Sequence, residues 1–148
     1  MIFNCLSWRA LPINGNGQNI RYWLHVADHC SAIRSVFERG KVHETYNIGG
    51  NNQIKNLEIV HIICDILNEM QPSENGDYKN LIKYFEDKPG NDLRYAIDSS
   101  KIQNDIGWKP KESYKSGIEK TVKWYIKNES WWRNIQEEKY GQARLGRI

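Results

Sequence analysis

A glycine-rich turn followed closely by an arginine is the feature of this sequence best suited to binding a phosphate. Residues 11–29 read LPINGNGQNIRYWLHVADH, in which Gly15 and Gly17 precede Arg21. Glycines let the backbone turn through positive φ, and a guanidinium offers phosphate oxygens a planar fork of donors that stays charged. The same residues also suit an ordinary turn with a solvated arginine. The turn therefore supports an anion-binding hypothesis without deciding it.

Around this turn the apolar spacing predicts alternating helices and strands. The end of a helix over 1–8 is followed by a strand over 18–26 and a helix over 27–39. Asp28 occupies the position of an N-cap, and Gly40 follows the helix at the C′ position. These elements give an α/β chain in which the turn lies between two regular segments.

The second half of the chain continues this pattern. A strand over 44–48 stops at two glycines, and apolar residues at three- and four-residue steps predict a helix over 56–70 with Asn56 as its N-cap. A polar loop fills 72–80. The remaining predicted elements are strands over 81–86 and 94–97, a short helix from Ser99 or Ser100 to Ile106 closed by Gly107, and a long helix over 113–134.

Composition narrows the classes of function. Lys plus Arg number 21 and Asp plus Glu 18, a formal charge of +3 that is scattered along the 148 residues and does not suggest a nucleic-acid partner. No apolar run approaches the roughly 20 residues of a membrane span, and the opening residues do not resemble a secretory signal, so we expect a cytoplasmic location. Cys30 and Cys64 fall on apolar helix faces, where buried thiols are expected, and the Cys and His spacing indicates no metal site.

Three blocks of sequence together resemble a known family. Besides the block at 11–29, they are ETYNIGGNNQIKN at 44–56 and DKPGNDLRYAIDSSKIQNDIGWKP at 87–110. Their order and spacing are similar to the C-terminal part of the extended short-chain dehydrogenase/reductases, and within that superfamily to dTDP-glucose 4,6-dehydratase. The resemblance implies the substrate-binding portion of an NAD(P)-binding Rossmann-like enzyme. We expect residues 1–138 to form a nucleotide-sugar-binding domain and 139–148 a flexible tail.

The resemblance also implies a missing half. The family's N-terminal half carries the glycine-rich dinucleotide fingerprint and the catalytic Tyr-x-x-x-Lys pair. No such fingerprint opens this chain, and its only Tyr-x-x-x-Lys match, Tyr84 with Lys88, lies in a different block. We therefore expect no catalytic or cofactor-binding residue here: NAD belongs to the full-length family enzyme. Without that half the 44–48 strand would expose unpaired backbone groups, so we expect the chain alone to be marginally stable.

By resemblance, Arg21 and Asn56 match residues that reach the diphosphate of the sugar nucleotide. Lys88 and Asn91 stand where the family has arginine and histidine, and both changes weaken the site. Tyr22 replaces an aspartate of the family block. Three further substrate-contact predictions are Pro12, Asn14, which replaces a tyrosine beside the nucleoside, and Arg94.

Three interpretations follow from these departures. In the first, the chain is part of a truncated or split dTDP-glucose 4,6-dehydratase, which in full converts dTDP-glucose to its 4-keto-6-deoxy product with loss of water. In the second, it comes from another nucleotide-sugar epimerase or dehydratase with a different base preference. In the third, it is a non-catalytic remnant that binds no nucleotide. We expect the chain alone to be inactive, with dTDP-glucose and an NAD-binding half as its partners.

Overall fold

The computed structural model describes residues 1–87 and 89–138, which form six α-helices, four short strands and one 3₁₀ turn. The helices are α1 (Ile2–Leu6), α2 (Val26–Arg39), α3 (Asn56–Met70), α4 (Ser100–Ile106), α5 (Tyr114–Lys127) and α6 (Glu129–Glu138). The strands are β1 (Leu11–Asn14), β2 (Ile20–Arg21), β3 (Ile54–Lys55) and β4 (Ile82–Phe85), and the 3₁₀ turn is Tyr78–Leu81.

Two small two-stranded sheets join distant parts of the chain. Strand β1 pairs in parallel with β4, from Leu11 opposite Ile82 to Asn14 opposite Phe85. Strand β2 pairs antiparallel with β3. Because alternate residues of a strand face opposite sides, Leu11 and Ile13 are buried while Pro12 between them is exposed. The strands therefore fix the two ends of the glycine turn.

The larger hydrophobic core, which we call the α3 cluster, surrounds helix α3. Apolar residues of α3 recur at helical spacing, so a single face of the helix is buried against α1, β1, the 3₁₀ turn and α5. The buried members of the cluster are Cys5, Leu11, Ile13, Ile59, Val60, Ile63, Cys64, Leu67, Tyr78 and Val122.

A smaller core, which we call the α2–α4 cluster, has four buried members: Ala32, Ile102, Ile106 and Trp108. Polar contacts reinforce it. The indole Nε1 of Trp108 donates to Ser31 Oγ at 2.9 Å. The two carboxylate oxygens of buried Asp28 accept the backbone N–H groups of Lys111 and Glu112 at 3.1 and 2.9 Å.

Several predicted elements are confirmed. Helix α3 spans the predicted 56–70, α2 begins one residue earlier than predicted, and β4 lies within 81–86. Gly107 closes α4 in the left-handed conformation with φ +74°, as its position predicted. Gly40 does follow α2, but in extended backbone with φ −69° and not as a left-handed cap.

Other strand predictions are wrong. The 18–26 strand shrinks to Ile20–Arg21, and 44–48 forms no strand, because the described residues offer it no neighbouring strand to pair with. The 94–97 strand is reduced to a single bridge between Ile20 and Arg94. Strand β1 was not predicted, because a four-residue segment containing proline gives little strand signal.

The helix at 113–134 is two helices, broken at Asn128. The side-chain amide of Asn128 donates to the carbonyl of Trp124 at 2.8 Å, and the indole of Trp132 donates to the carbonyl of Tyr125 at 2.8 Å. The Trp124 carbonyl also accepts the backbone N–H of Asn128 at 3.0 Å, so α5 keeps its last helical bond, and the two side chains cap the carbonyl groups at its end. Residues 139–148, predicted as a flexible tail, lie outside the described residues.

Two capping predictions and one burial prediction are also wrong. The N-cap of α2 is His25, and Asp28 lies in the first turn, where its buried carboxylate bonds another segment. The N-cap of α3 is Lys55, so Asn56 is the first helical residue.

Cys30 is exposed on α2, whereas Cys64 is buried as predicted. The thiols of Cys64 and Cys5 hydrogen-bond, which raises the pKa of Cys64 and lowers that of Cys5.

Candidate functional site

The glycine turn is built as the sequence indicated. Gly15 and Gly17 have φ of +57° and +71°, which side chains rarely adopt. A Cβ on Gly17 would lie 2.9 Å from atoms of both Ile13 and Leu57, so only glycine lets the turn sit against the start of α3. The backbone carbonyl of Gly17 accepts the N–H of Leu57 at 3.1 Å. The turn thereby fixes the position of the α3 N-terminus.

Beside the turn lies a cavity of about 550 Å³, within the size range of small-ligand sites. Four of the residues predicted from the sequence to contact substrate line it: Pro12, Asn14, Asn56 and Asn91. The rest of the lining is mostly apolar. It consists of Met1, Ile2, Phe3, Ile13, Gly17, Asn19, Trp23, Ile59, Val60, Ile63, Thr121 and Tyr125.

Arg21 does not line the cavity itself but is hydrogen-bonded to a residue that does. Its Nη2 donates to Asn91 Oδ1 at 3.0 Å, and Asn91 Nδ2 in turn donates to Asp87 Oδ1 at 2.8 Å. Its Nη1 donates to the carbonyl of Ile20 at 2.7 Å. Arg21 and Asn91, each predicted separately to contact the substrate, are thus in direct contact, and Asn91 connects the arginine to the cavity.

The other predicted residues divide into three cases. Asn56 lines the cavity from the first turn of α3, and its N–H donates to the carbonyl of Asn19 at 2.9 Å. Arg94 is exposed and does not belong to the lining; its backbone forms the bridge to Ile20. Lys88 lies outside the described residues. The substrate contacts themselves remain predictions for all seven positions.

Asn19 is a cavity residue that the sequence reasoning missed. Its side chain is only 4% exposed, and its Nδ2 donates to the carbonyl of Asp92 at 3.3 Å. It thereby ties the end of the glycine turn to the loop that carries Asn91. Its position between the glycine turn and the strand could have indicated it. Asparagine is also common in ordinary turns, so the position alone does not distinguish the two roles.

Trp23 is a second lining residue that was not predicted as a contact, and Asn52 holds it in place. The amide of Asn52 accepts the N–H of Trp23 at 3.0 Å and donates to its carbonyl at 2.6 Å. A Cβ on Gly50 would lie 2.2 Å from the Trp23 carbonyl oxygen, so this approach requires glycine. The GGNN segment of the second sequence block therefore supports the wall of the cavity.

The chemistry of the cavity suits a ligand with an anionic end and a flat apolar end. Among the described residues no carboxylate lines it, and the asparagine amides offer neutral N–H donors. The guanidinium of Arg21 supplies positive charge next to Asn91, and the aromatic rings and aliphatic side chains supply apolar walls. In the described part of the chain, no group of His, Cys, Asp and Glu residues could hold a metal ion.

Comparison with known proteins assigns the family. A family model for GDP-mannose 4,6 dehydratase matches residues 4–121, and the chain belongs to this family within the extended short-chain dehydrogenase/reductases. The dTDP-glucose 4,6-dehydratase of Escherichia coli is 45% identical over 151 residues, an alignment that covers 100% of this chain and 42% of that protein. The chain thus spans about two-fifths of the relative's length.

Solved structures agree with this assignment. The dTDP-glucose 4,6-dehydratase of Bacillus anthracis, crystallised in complex with NAD, is 43% identical with a TM-score of 0.78, over 90% of this chain and 40% of that one. The corresponding enzyme of Streptomyces venezuelae, also with NAD bound, is 35% identical with a TM-score of 0.79, over 90% and 39%. The α/β fold predicted from the sequence is confirmed. No helix in the described ranges has the length and apolar character of a membrane span.

Proposed function

We propose that this chain is the substrate-binding part of a dTDP-glucose 4,6-dehydratase and that its cavity binds the dTDP end of dTDP-glucose. One observation carries the proposal. Residues from three separate sequence blocks, namely Asn14, Asn56 and Asn91, line one cavity, and the last of them is hydrogen-bonded to Arg21. The identity with dTDP-glucose 4,6-dehydratases supports the choice of ligand.

In this proposal the two ends of the ligand meet different walls. The phosphates lie toward Asn56, Asn91 and Arg21, where amide N–H groups and one guanidinium supply donors and charge. The nucleoside lies against the apolar part of the lining, which includes Ile13 and Trp23. A planar base gains contact area and stacking from such a wall.

The catalytic chemistry, in the same proposal, is supplied by residues outside this chain. The relatives are more than twice as long, and two of their structures carry NAD. Helix α2 displays an apolar stripe to solvent: Val26 is 68% exposed, Ile33 55% and Phe37 90%, with exposed Cys30 between them. Apolar area of this kind on a helix usually marks an interface. An NAD-binding half that covers this stripe and pairs with residues 44–48 accounts for the exposed apolar face of α2 and for the absence of a strand partner for 44–48 among the described residues.

A second candidate differs only in the base. Asn14, which lines the cavity, stands where the resemblance places a tyrosine beside the nucleoside, and Tyr22 replaces an aspartate of the same block. An amide can hydrogen-bond to the polar edge of a base, whereas a tyrosine ring stacks on the face of the base. This observation favours testing uridine and guanosine diphosphates alongside dTDP.

The first test is a titration of the purified chain with dTDP at low salt, followed by tryptophan fluorescence. Trp23 lines the cavity, so its emission should change on binding, and Trp23→Phe should abolish the change while calorimetry still detects heat. UDP and GDP serve as controls for the base. Saturable binding with preference for dTDP supports the proposal. Preference for UDP or GDP supports the second candidate, and the absence of binding to all three contradicts both.

A second measurement addresses the missing chemistry. The chain with NAD and dTDP-glucose should form no 4-keto sugar. Addition of an NAD-binding half taken from the Escherichia coli relative should restore turnover, because that protein supplies the remaining length. Product formation by this chain alone would contradict the proposal that the catalytic residues lie outside it.

A further inference from the structure

A single loop, residues 89–95, holds the Arg21 side chain from two directions. At the edge of the guanidinium, Asn91 Oδ1 accepts a hydrogen bond from Nη2 at 3.0 Å. The guanidinium carbon also lies over the ring of Tyr95, 4.5 Å from the ring centroid. This distance is well within the range of a cation–π contact, which extends to about 6 Å.

The loop is itself fastened to the strand that carries Arg21. Its backbone flanks Ile20 on both sides, since Ile20 N–H donates to the Leu93 carbonyl at 2.8 Å and Tyr95 N–H donates to the Ile20 carbonyl at 3.3 Å. Asn19 adds a side-chain bond to the Asp92 carbonyl. The residues that carry the ring of Tyr95 and the guanidinium are therefore joined by the same set of backbone hydrogen bonds.

The hydroxyl of Tyr95 has a separate partner. It hydrogen-bonds the carboxylate of Asp92, which raises the pKa of Tyr95 above its ordinary value. The contact with Arg21 is made by the aromatic ring. Phenylalanine retains that ring, whereas leucine removes it at similar bulk.

Holding the guanidinium in this way matters for a ligand. An arginine has five N–H donors, and the bonds to Ile20 and Asn91 take two of them within the described part of the chain. Among the described residues the other three donors have no hydrogen-bond partner, so they are available to an anion. A free arginine side chain loses rotamer entropy when it binds, and one that is already ordered binds its anion with a smaller loss.

We infer that Tyr95 is a positioning residue, whose ring makes a cation–π contact with Arg21 and pre-organises its remaining donors for the phosphates of a nucleoside diphosphate. The inference rests on the proposed function, since it assumes that the phosphates reach Arg21. It assigns Tyr95 no contact with the ligand.

The test measures the affinity of the full 148-residue chain for dTDP and for thymidine, which lacks the phosphates. Tyr95→Leu should weaken dTDP binding about fivefold, the size of an exposed cation–π contact, and leave thymidine binding unchanged. Tyr95→Phe should bind dTDP like the unmodified chain. In an Arg21→Ala background, Tyr95→Leu should have no further effect. Tyr84→Leu is the matched control, because Tyr84 is similarly exposed but lies on β4 and not on this loop.

The outcomes separate the two claims. If the unmodified chain binds no dTDP, the proposed function fails and this inference fails with it. If it binds dTDP but Tyr95→Leu leaves that affinity unchanged or tightens it, the inference is overturned while the proposed function stands. Equal weakening of dTDP and thymidine, or a thermal melt lowered far beyond that of Tyr84→Leu, also overturns it, since either result indicates a merely structural role.

Discussion

The two hydrophobic cores of this protein differ in how completely they are closed. The α3 cluster has ten buried members drawn from α1, β1, α3, the 3₁₀ turn and α5, so α3 is covered from several sides. The α2–α4 cluster has four, and its main helix leaves Phe37 90% exposed on the opposite face. One region thus buries its apolar face within the chain, and the other leaves apolar area exposed among the described residues.

The candidate cavity belongs to the closed region. Its apolar walls include Ile59, Val60 and Ile63, which are core residues of the α3 cluster. A binding wall made from core residues keeps its shape because those side chains are locked by packing. Under the proposed function, ligand binding therefore depends on the closed region, and association with an NAD-binding half depends on the open one.

The largest effect is expected inside the α3 cluster. Leu67 is fully buried, so Leu67→Ala should lower the free energy of unfolding by about 3 kcal/mol through lost burial and the resulting cavity. Urea unfolding measures this change. Leu93→Ala, at a leucine that is 66% exposed, is the matched control and should have little effect. Similar losses in both variants would show that this core is not closed.

The next effect separates the regions. Asp28→Asn replaces one of two carboxylate oxygens, each of which accepts a backbone N–H, with an amide nitrogen that cannot accept, and should cost about 2 kcal/mol. Hydrogen exchange should report lost protection in α2 and α4 with α3 unchanged. Asp65→Asn, at an exposed aspartate that pairs with Lys79, is the control. Equal loss of protection in α3 would mean that the two regions unfold as one.

A smaller effect is expected where the chain passes from one region to the other. Asn52→Ala removes the side chain that pairs with both backbone groups of Trp23, and should destabilise the chain by about 1 kcal/mol. Because Trp23 lines the cavity, dTDP affinity should fall as well. Thermal melts and the fluorescence titration measure both effects, with Asn75→Ala in an exposed loop as the control. Unchanged affinity would contradict the supporting role of Asn52.

The smallest effect on stability is expected on the open face of α2. Phe37→Lys should change the free energy of unfolding by no more than about 0.5 kcal/mol, because the side chain is already in water. It should nevertheless reduce association with the NAD-binding half of the Escherichia coli relative, measured by co-purification. Glu38→Lys adds the same residue type off the stripe and should leave association intact. A large loss of stability in Phe37→Lys would show that this face is covered within the chain.

Local patterns predicted the parts of the fold and site that depend on neighbouring residues. Helix α3 followed from apolar spacing, and the turn at Gly15 and Gly17 followed from glycine chemistry. Asn14 and Asn56 were singled out because their blocks resemble a family, and both line the cavity. The helix and the turn are confirmed because each is contained in a short segment, whereas the substrate contacts of Asn14 and Asn56 stay predictions.

Predictions failed where a distant segment determines the role of a residue. Asp28 has the local signature of an N-cap, yet its carboxylate bonds backbone groups more than 80 residues away. The 44–48 segment has the composition of a strand but no neighbour to pair with in the described residues. Asn19 was overlooked because its burial depends on the loop at Asp92.

The sequence by itself determined the family, the α/β class, the course of α3 and the shape of the glycine turn, because each is encoded by short-range spacing or by a distinctive run of residues. Only the tertiary structure decided that Asn91 connects Arg21 to the cavity and that Tyr95 lies over the guanidinium. These contacts join residues about 70 positions apart, and they arise from the backbone bonds between Ile20 and the 89–95 loop. Pairing at that distance depends on the packing of the whole chain, which no local pattern records.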